Sequence, residues 1–266
     1  MKTRQHLLVY ILALLIMAAC SNESNQRRFN YKIVGEGKPT IVLCVAMGET
    51  LESWDSLHNV LGKLTTVVSY DRLGLGKSDT TTTPRTLENL SDELHEFMAM
   101  SKIDGPYVLV GHSLGSSIVR KYQNDYPEDV LGMLLIDPVH EDQFEQLMAV
   151  KSQEDRESTL MNREEFLSTL APGELNEAVQ YHEQRRAMRE TSYPADIPVT
   201  ILGSFQVGHG ATEEDREIKR GLYEQWLTQA PQIRLVTTTE SGHYIQDTEP
   251  QLVIDEVKLM LEGLGD

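Results

Sequence analysis

Gly111-His112-Ser113-Leu114-Gly115 places a serine between two glycines, directly after the apolar run Tyr107-Val108-Leu109-Val110. A serine hydroxyl is a poor nucleophile near neutral pH. It needs a base, and the base needs an acid to orient it. The G-x-S-x-G pattern fits a nucleophile elbow, in which a strand ends, the chain turns sharply through the serine and a helix begins. The helix-compatible stretch Ile118-Val119-Arg120-Lys121-Tyr122 that follows supplies the expected context.

Four histidines follow Ser113: His140, His182, His209 and His243. His243 is read as the base. It lies just past the last strand-like run, in a glycine-flanked loop before the final helix, at the sheet edge where α/β sites are built. His182 and His209 are expected in solvent. Two strand ends could supply the acid. Asp137 closes the apolar run Met133-Leu134-Leu135-Ile136, where an unpaired carboxylate would be costly and a hydrogen bond to His243 would relieve it. The loop after residue 202 offers only Glu213, Glu214 and Asp215, which suit a helix start through dipole and capping. Asp137 is the favoured acid, and the other three remain the alternative. Charge developing on a tetrahedral intermediate needs two N–H donors. Those expected are the backbone N–H groups of Leu114 and Met47, the latter in the loop Met47-Gly48-Glu49-Thr50.

These residues require a framework. Strand-like runs at residues 29–34, 40–46, 66–70, 106–110, 133–136, 197–202 and 233–236 alternate with helical spacing at 54–64, 87–100, 114–126 and 213–229, and Pro250 opens a last helix. Near-continuous apolar strands alternating with helices predict an α/β fold with a mostly parallel sheet covered on both faces. From His140 to Tyr193 the strand signal lapses into charged helical stretches, such as 163–170 and 174–189, broken at Pro172-Gly173. This predicts a helical cap over 140–193, inserted between core segments 29–139 and 194–266.

The 266 residues carry a formal charge of −17, which argues against a nucleic-acid partner. No ligand cluster has metal-binding spacing, so no metal or organic cofactor is expected. At the N-terminus Lys2 and Arg4 precede the uncharged apolar stretch Leu7–Ala19, too short to span a bilayer and suited to a signal peptide over 1–19. Ala18-Ala19-Cys20 resembles the lipobox of bacterial lipoproteins. The resemblance implies lipid attachment at Cys20, a tether over 20–28, and an exported protein anchored to a membrane of the cell envelope. Cys44, within a buried-looking strand, is then the one cysteine left in the mature domain and reads as a small core residue.

Taken in order, Ala46-Met47-Gly48-Glu49, the segment Tyr70-Asp71-Arg72-Leu73-Gly74-Leu75-Gly76-Lys77-Ser78-Asp79, the elbow and Ser241-Gly242-His243-Tyr244 resemble the α/β-hydrolase fold superfamily from Phe29 to Gly265. The resemblance implies a serine hydrolase of the esterase or lipase kind, acting on a small acyl substrate, with Asp71 and Arg72 shaping the loop beside the elbow. Two departures stand out. Val45-Ala46 replaces the family's usual His-Gly before the oxyanion loop, and no carboxylate follows the 197–202 strand directly. Some members place the acid one strand earlier, as Asp137 would be. A serine elbow argues against epoxide and haloalkane hydrolysis, for which family members use aspartate. Two other functions fit the same sequence. One is an aminopeptidase resembling proline iminopeptidases, with Glu141, Asp142, Glu164 or Glu165 holding a substrate amine; the other is a surface lipoprotein that binds a ligand without turnover.

Overall fold

The computed structural model describes residues 27–208, 211–230 and 232–265. The expected signal peptide, Cys20, most of the tether and His209 lie outside the described residues. Seven strands form one sheet: β1 (Tyr31–Val34), β2 (Thr40–Cys44), β3 (Val67–Tyr70), β4 (Tyr107–His112), β5 (Val130–Ile136), β6 (Val199–Ser204) and β7 (Ile233–Thr238). Their order is β1-β3-β2-β4-β5-β6-β7, and all neighbours are parallel except the β1–β3 pair. This is the α/β-hydrolase architecture of a mostly parallel sheet covered by helices.

The central strands are apolar throughout because both faces are covered. Successive residues of a strand point to opposite sides. Val42, Cys44, Leu109 and Leu135 therefore join one buried cluster, and Ile41, Leu43, Val108, Val110 and Leu134 the other. Helices α2 (Leu87–Met100) and α3 (Leu114–Asp125) cover the first face, with Leu87, Leu90, Leu94 and Phe97 inward. Helices α1 (Asp55–Leu61) and α10 (Pro250–Gly263) cover the second, through Leu57, Leu61, Val253 and Val257.

Between β5 and β6 the chain forms four helices: α4 (Gln143–Val150), α5 (Gln153–Thr169), α6 (Pro172–Ala178) and α7 (Tyr181–Met188). Helix α5 begins well before the 163–170 stretch, and α4 carries Phe144, Leu147 and Met148 at helical spacing, although no residue of either helix is buried. The 174–189 stretch forms two helices, α6 and α7, because the chain breaks at Val179-Gln180. Helix α8 (Glu213–Gln229) precedes β7, and a short α9 (Ile245–Thr248) leads into α10. Among the described residues no helix is long and apolar enough to cross a membrane.

Candidate active site

Sheet register brings the expected residues to one edge. His112, Ile136 and Leu202 lie side by side on β4, β5 and β6. Ser113 and Asp137 are each the first residue past their strands. Ser113 N donates to the Ile136 carbonyl (3.0 Å) and Asp137 N to the Leu202 carbonyl (2.7 Å), so both depart from the same rung of the sheet.

Ser113 sits at φ 53° and ψ −115°, a left-handed conformation that costs a non-glycine residue on the order of 1–3 kcal/mol. The flanking glycines permit the turn by close approach. A Cβ on Gly111 would lie 2.5 Å from the Gly115 carbonyl oxygen, and one on Gly115 would overlap the Cys44 carbonyl. Ser116 Oγ closes the corner by donating to the Gly111 carbonyl (2.6 Å). Helix α3 starts at Leu114, whose N–H points out of the first turn.

Asp137 is buried and faces His243. Its Oδ2 lies 2.7 Å from His243 Nδ1, while Oδ1 accepts from Ser204 N (2.8 Å) and from the ammonium of Lys219. Burial opposes its ionisation, but the Lys219 charge and the His243 hydrogen bond outweigh it and hold the carboxyl below the usual range. The alternative acids lie elsewhere. Glu213, Glu214 and Asp215 form the first turn of α8, where Asp215 and Thr212 cap each other.

The His243 side chain is 40% exposed, and among the described residues it makes no hydrogen bond to Ser113 Oγ. Contacts between a nucleophile and its base are commonly long until substrate is bound. The elbow nevertheless locates the histidine through His112. The two imidazole rings are 4.7 Å apart, and His112 Nε2 lies 2.8 Å from the His243 carbonyl oxygen. With Gln246 Nε2 donating to His112 Nδ1 (3.1 Å), the bond network assigns the proton to Nε2, which donates to that carbonyl. Burial, reinforced by the neighbouring His243, pushes the pKa of His112 down to about 3 and keeps the ring neutral.

Met47 and Leu114 line one pocket with Ser113, and among the described residues neither N–H has a hydrogen-bond partner. Donors left free beside a nucleophile suit an oxyanion. The Met47 loop is held by an ion pair that reaches from the core to α6. Arg72 donates to the carbonyls of Val45 (2.8 Å) and Ala46 (2.7 Å) and binds both oxygens of Glu177 (2.6 and 2.8 Å). Glu177 in turn accepts from Gly48 N (2.9 Å). Both side chains are essentially fully buried. Asp71, as expected, organises its own loop by accepting from Leu51 N, Lys77 N and Asn30.

The roles of Lys219, Glu177, His112 and Arg185 are not legible in the sequence. Lys219, Glu177 and Arg185 sit in stretches that look polar and ordinary, His112 lies inside the elbow motif itself, and each gains its role only from a distant partner or from burial. The described histidines His140 and His182 play no part in this cluster. His140 is buried against Trp226 (4.6 Å between centroids), and His182 is exposed. Of the carboxylates considered for binding an amine, Glu141 pairs with Arg120, Asp142 pairs with Arg189, and Glu164 and Glu165 are exposed on α5. Cys44 is a free, buried thiol whose pKa burial raises to about 12. Among the described residues no group of three or more His, Cys, Asp or Glu side chains is placed to hold a metal ion.

Known proteins are similar to this chain in sequence or in fold. The probable transporter efuK of Hormonema carpetanum is 24% identical over 277 residues, covering 85% of this chain and 40% of its own length. The uncharacterized protein YqjL of Bacillus subtilis is 31% identical over 104 residues, 39% of this chain and 41% of its own. The chain thus matches about two fifths of the length of these curated relatives. Among solved structures, the enol-lactonase from Burkholderia xenovorans LB400 superposes with a TM-score of 0.66 at 18% identity, over 90% of this chain and 98% of that one. The family model described as alpha/beta hydrolase fold matches residues 39–192, from β2 to just beyond α7. With more than half of its length inside that match and the sheet order and elbow geometry in accord, the chain belongs to the α/β-hydrolase fold family.

Proposed function

We propose that the protein is a serine hydrolase that cleaves an ester or related acyl bond through Ser113, His243 and Asp137. The observation that carries this reading is the 2.7 Å contact between His243 Nδ1 and Asp137, beside a serine held at positive φ on the same sheet edge. In the proposed reaction Ser113 Oγ attacks the acyl carbon while His243 Nε2 takes its proton. Asp137 fixes the imidazole tautomer and stabilises the imidazolium. The Met47 and Leu114 N–H groups hold the oxyanion, and collapse breaks the acyl–oxygen bond as His243 protonates the departing alcohol. Water, deprotonated by the same histidine, then hydrolyses the acyl-enzyme and returns Ser113 to its starting state. The inserted helices α4–α7 serve as the cap that shapes the acyl pocket.

A neutral fluorophosphonate probe provides the test. Wild type is labelled at Ser113, and Ser113→Ala loses both labelling and at least ~10⁴-fold in kcat/KM on short acyl esters. Labelling that persists in Ser113→Ala defeats the proposal. We further propose export and lipid anchoring at Cys20, on the strength of the apolar stretch and the small residues before it. Metabolic labelling with a radioactive fatty acid should mark wild type and spare Cys20→Ser; equal incorporation in both refutes anchoring there.

A further inference from the structure

A small pocket of about 80 Å³ lies in front of Ser113, walled by Met47, Leu114 and Val139 and bounded by Tyr181, Gln184 and Arg185 of α7. Arg185 is the one charged side chain among the described residues that line it. It is 5% exposed, and its hydrogen bonding is incomplete. Nη2 donates to the Glu141 carbonyl and to the Glu145 carboxylate, but Nε and Nη1 are buried and have no partner among the described residues. The guanidinium carbon lies 5.4 Å from the Phe144 ring centroid and 5.2 Å from that of Tyr181. Those faces favour a cation but do not replace strong acceptors.

A buried guanidinium with unpartnered N–H groups is costly unless an acceptor reaches it, and a charged acceptor offsets most of that cost. Glu145 offsets the charge only in part, because its side chain is 53% exposed and water screens the pair. The rest of the pocket wall is neutral and mostly apolar, which suits a short hydrocarbon chain ending in an anion. We propose that Arg185 receives a carboxylate at the far end of the acyl group, so that the substrates are half-esters of short dicarboxylic acids. This rests on the serine-hydrolase reading above. One water is consumed, the ester C–O bond breaks, and the products are the alcohol and the dicarboxylic acid. The same cation opposes an amine-terminated substrate in this pocket.

The test compares ethyl hydrogen glutarate with its neutral isostere, the ethyl ester of glutaric monoamide, by release of ethanol. The succinate and adipate pairs bracket the chain length. Charge-assisted hydrogen bonding predicts that wild type favours the acid over the amide by about 10- to 100-fold in kcat/KM, expressed mainly in KM. In Arg185→Met that ratio falls toward one, and Arg185→Lys recovers part of it. A wild-type ratio at or below one for all three lengths overturns the assignment without any variant, and so does a ratio that Arg185→Met leaves unchanged. Fluorophosphonate labelling of Ser113 separates the two levels. Labelling without carboxylate preference removes only the Arg185 assignment, whereas absence of both labelling and turnover removes the serine reading and this one with it.

Discussion

Ser113 and Met47 face the same pocket but are fixed by different means. Ser113 is held from behind by its own sheet, through the Ile136 carbonyl, the Gly111–Gly115 approach and the Cys44 strand beneath. Those contacts are backbone on backbone, and the sheet order alone brings them together. The Met47 loop is held by side chains, from Arg72 on one side and from Glu177 on the other, the latter 129 residues away from Gly48 in the chain. The nucleophile therefore depends on the core alone, whereas the loop that would stabilise the oxyanion depends on the inserted helices too. A buried ion pair is a precarious anchor: well paired it fixes geometry, and with one partner removed it leaves a charge without solvent.

The largest effect is expected at Gly115. A Cβ there would overlap the Cys44 carbonyl and lie 2.8 Å from that of Val45, with backbone on both sides unable to yield. Gly115→Ala should lose more than about 4 kcal/mol of stability or fail to accumulate folded, as read by denaturant unfolding. A well-folded Gly115→Ala protein would show that the elbow is not set by backbone contact. Glu177→Gln should be milder, at about 3 kcal/mol, because the amide keeps the shape and one acceptor while Arg72 loses its counter-charge. Its kcat on a short neutral ester should fall by about 10- to 100-fold as the donor loop relaxes. Lost stability with kcat intact would separate the ion pair from the oxyanion donors.

Acid provides a third, smaller probe, directed at the link between elbow and base. His112 has a folded pKa of about 3 against an unfolded value near 6.5, so the unfolded chain binds the extra proton first. Its contribution is complete above pH 6.5 and is lost as pH falls toward 3, by on the order of 1 kcal/mol per pH unit. Unfolding free energies at pH 7, 6 and 5 should show this slope together with those of buried His58, whose pKa is lowered to about 4, and His140, also lowered; His112→Gln should reduce the total by on the order of 1 kcal/mol per pH unit. An unchanged slope would mean that the ring is not buried neutral. The smallest signal is expected at Cys44, whose thiol is buried and held protonated. In a Cys20→Ser chain, a maleimide should leave the native protein unmodified and react only on unfolding; rapid native labelling would mean that the sheet behind the elbow opens.

The same division explains what could be read in the sequence. The elbow, Asp137 and the seven strands follow from local pattern, because register in a parallel sheet converts a position just past a strand into a position at one edge. The ranges predicted for α2 and α8 match those observed because both have ordinary helix signals, Thr86 and Thr212 serving as N-caps. Glu177 carries no such signal. It is one charge among several in the 174–189 stretch, yet it is fully buried. Lys219 likewise reads as one charge among many on an acidic helix until the fold places it beneath Asp137. A charge becomes informative only when its partner is known, and these partners are distant in sequence.

The shared carboxylate of Glu177 also limits how the protein can be rebuilt. The inserted helices cannot be trimmed away or exchanged as an independent module, since whatever replaces α6 must return an acid to the same spot or leave a guanidinium stranded behind the oxyanion loop. The tolerant ground is one helix further on. Changes on the pocket face of α7 at Tyr181 and Arg185 would retune which molecules enter, whereas buried Gln184, which donates to the carbonyls of Arg85 and Glu177, belongs with the brace. Engineering of selectivity in this chain should therefore begin at α7 and keep α6 as it stands.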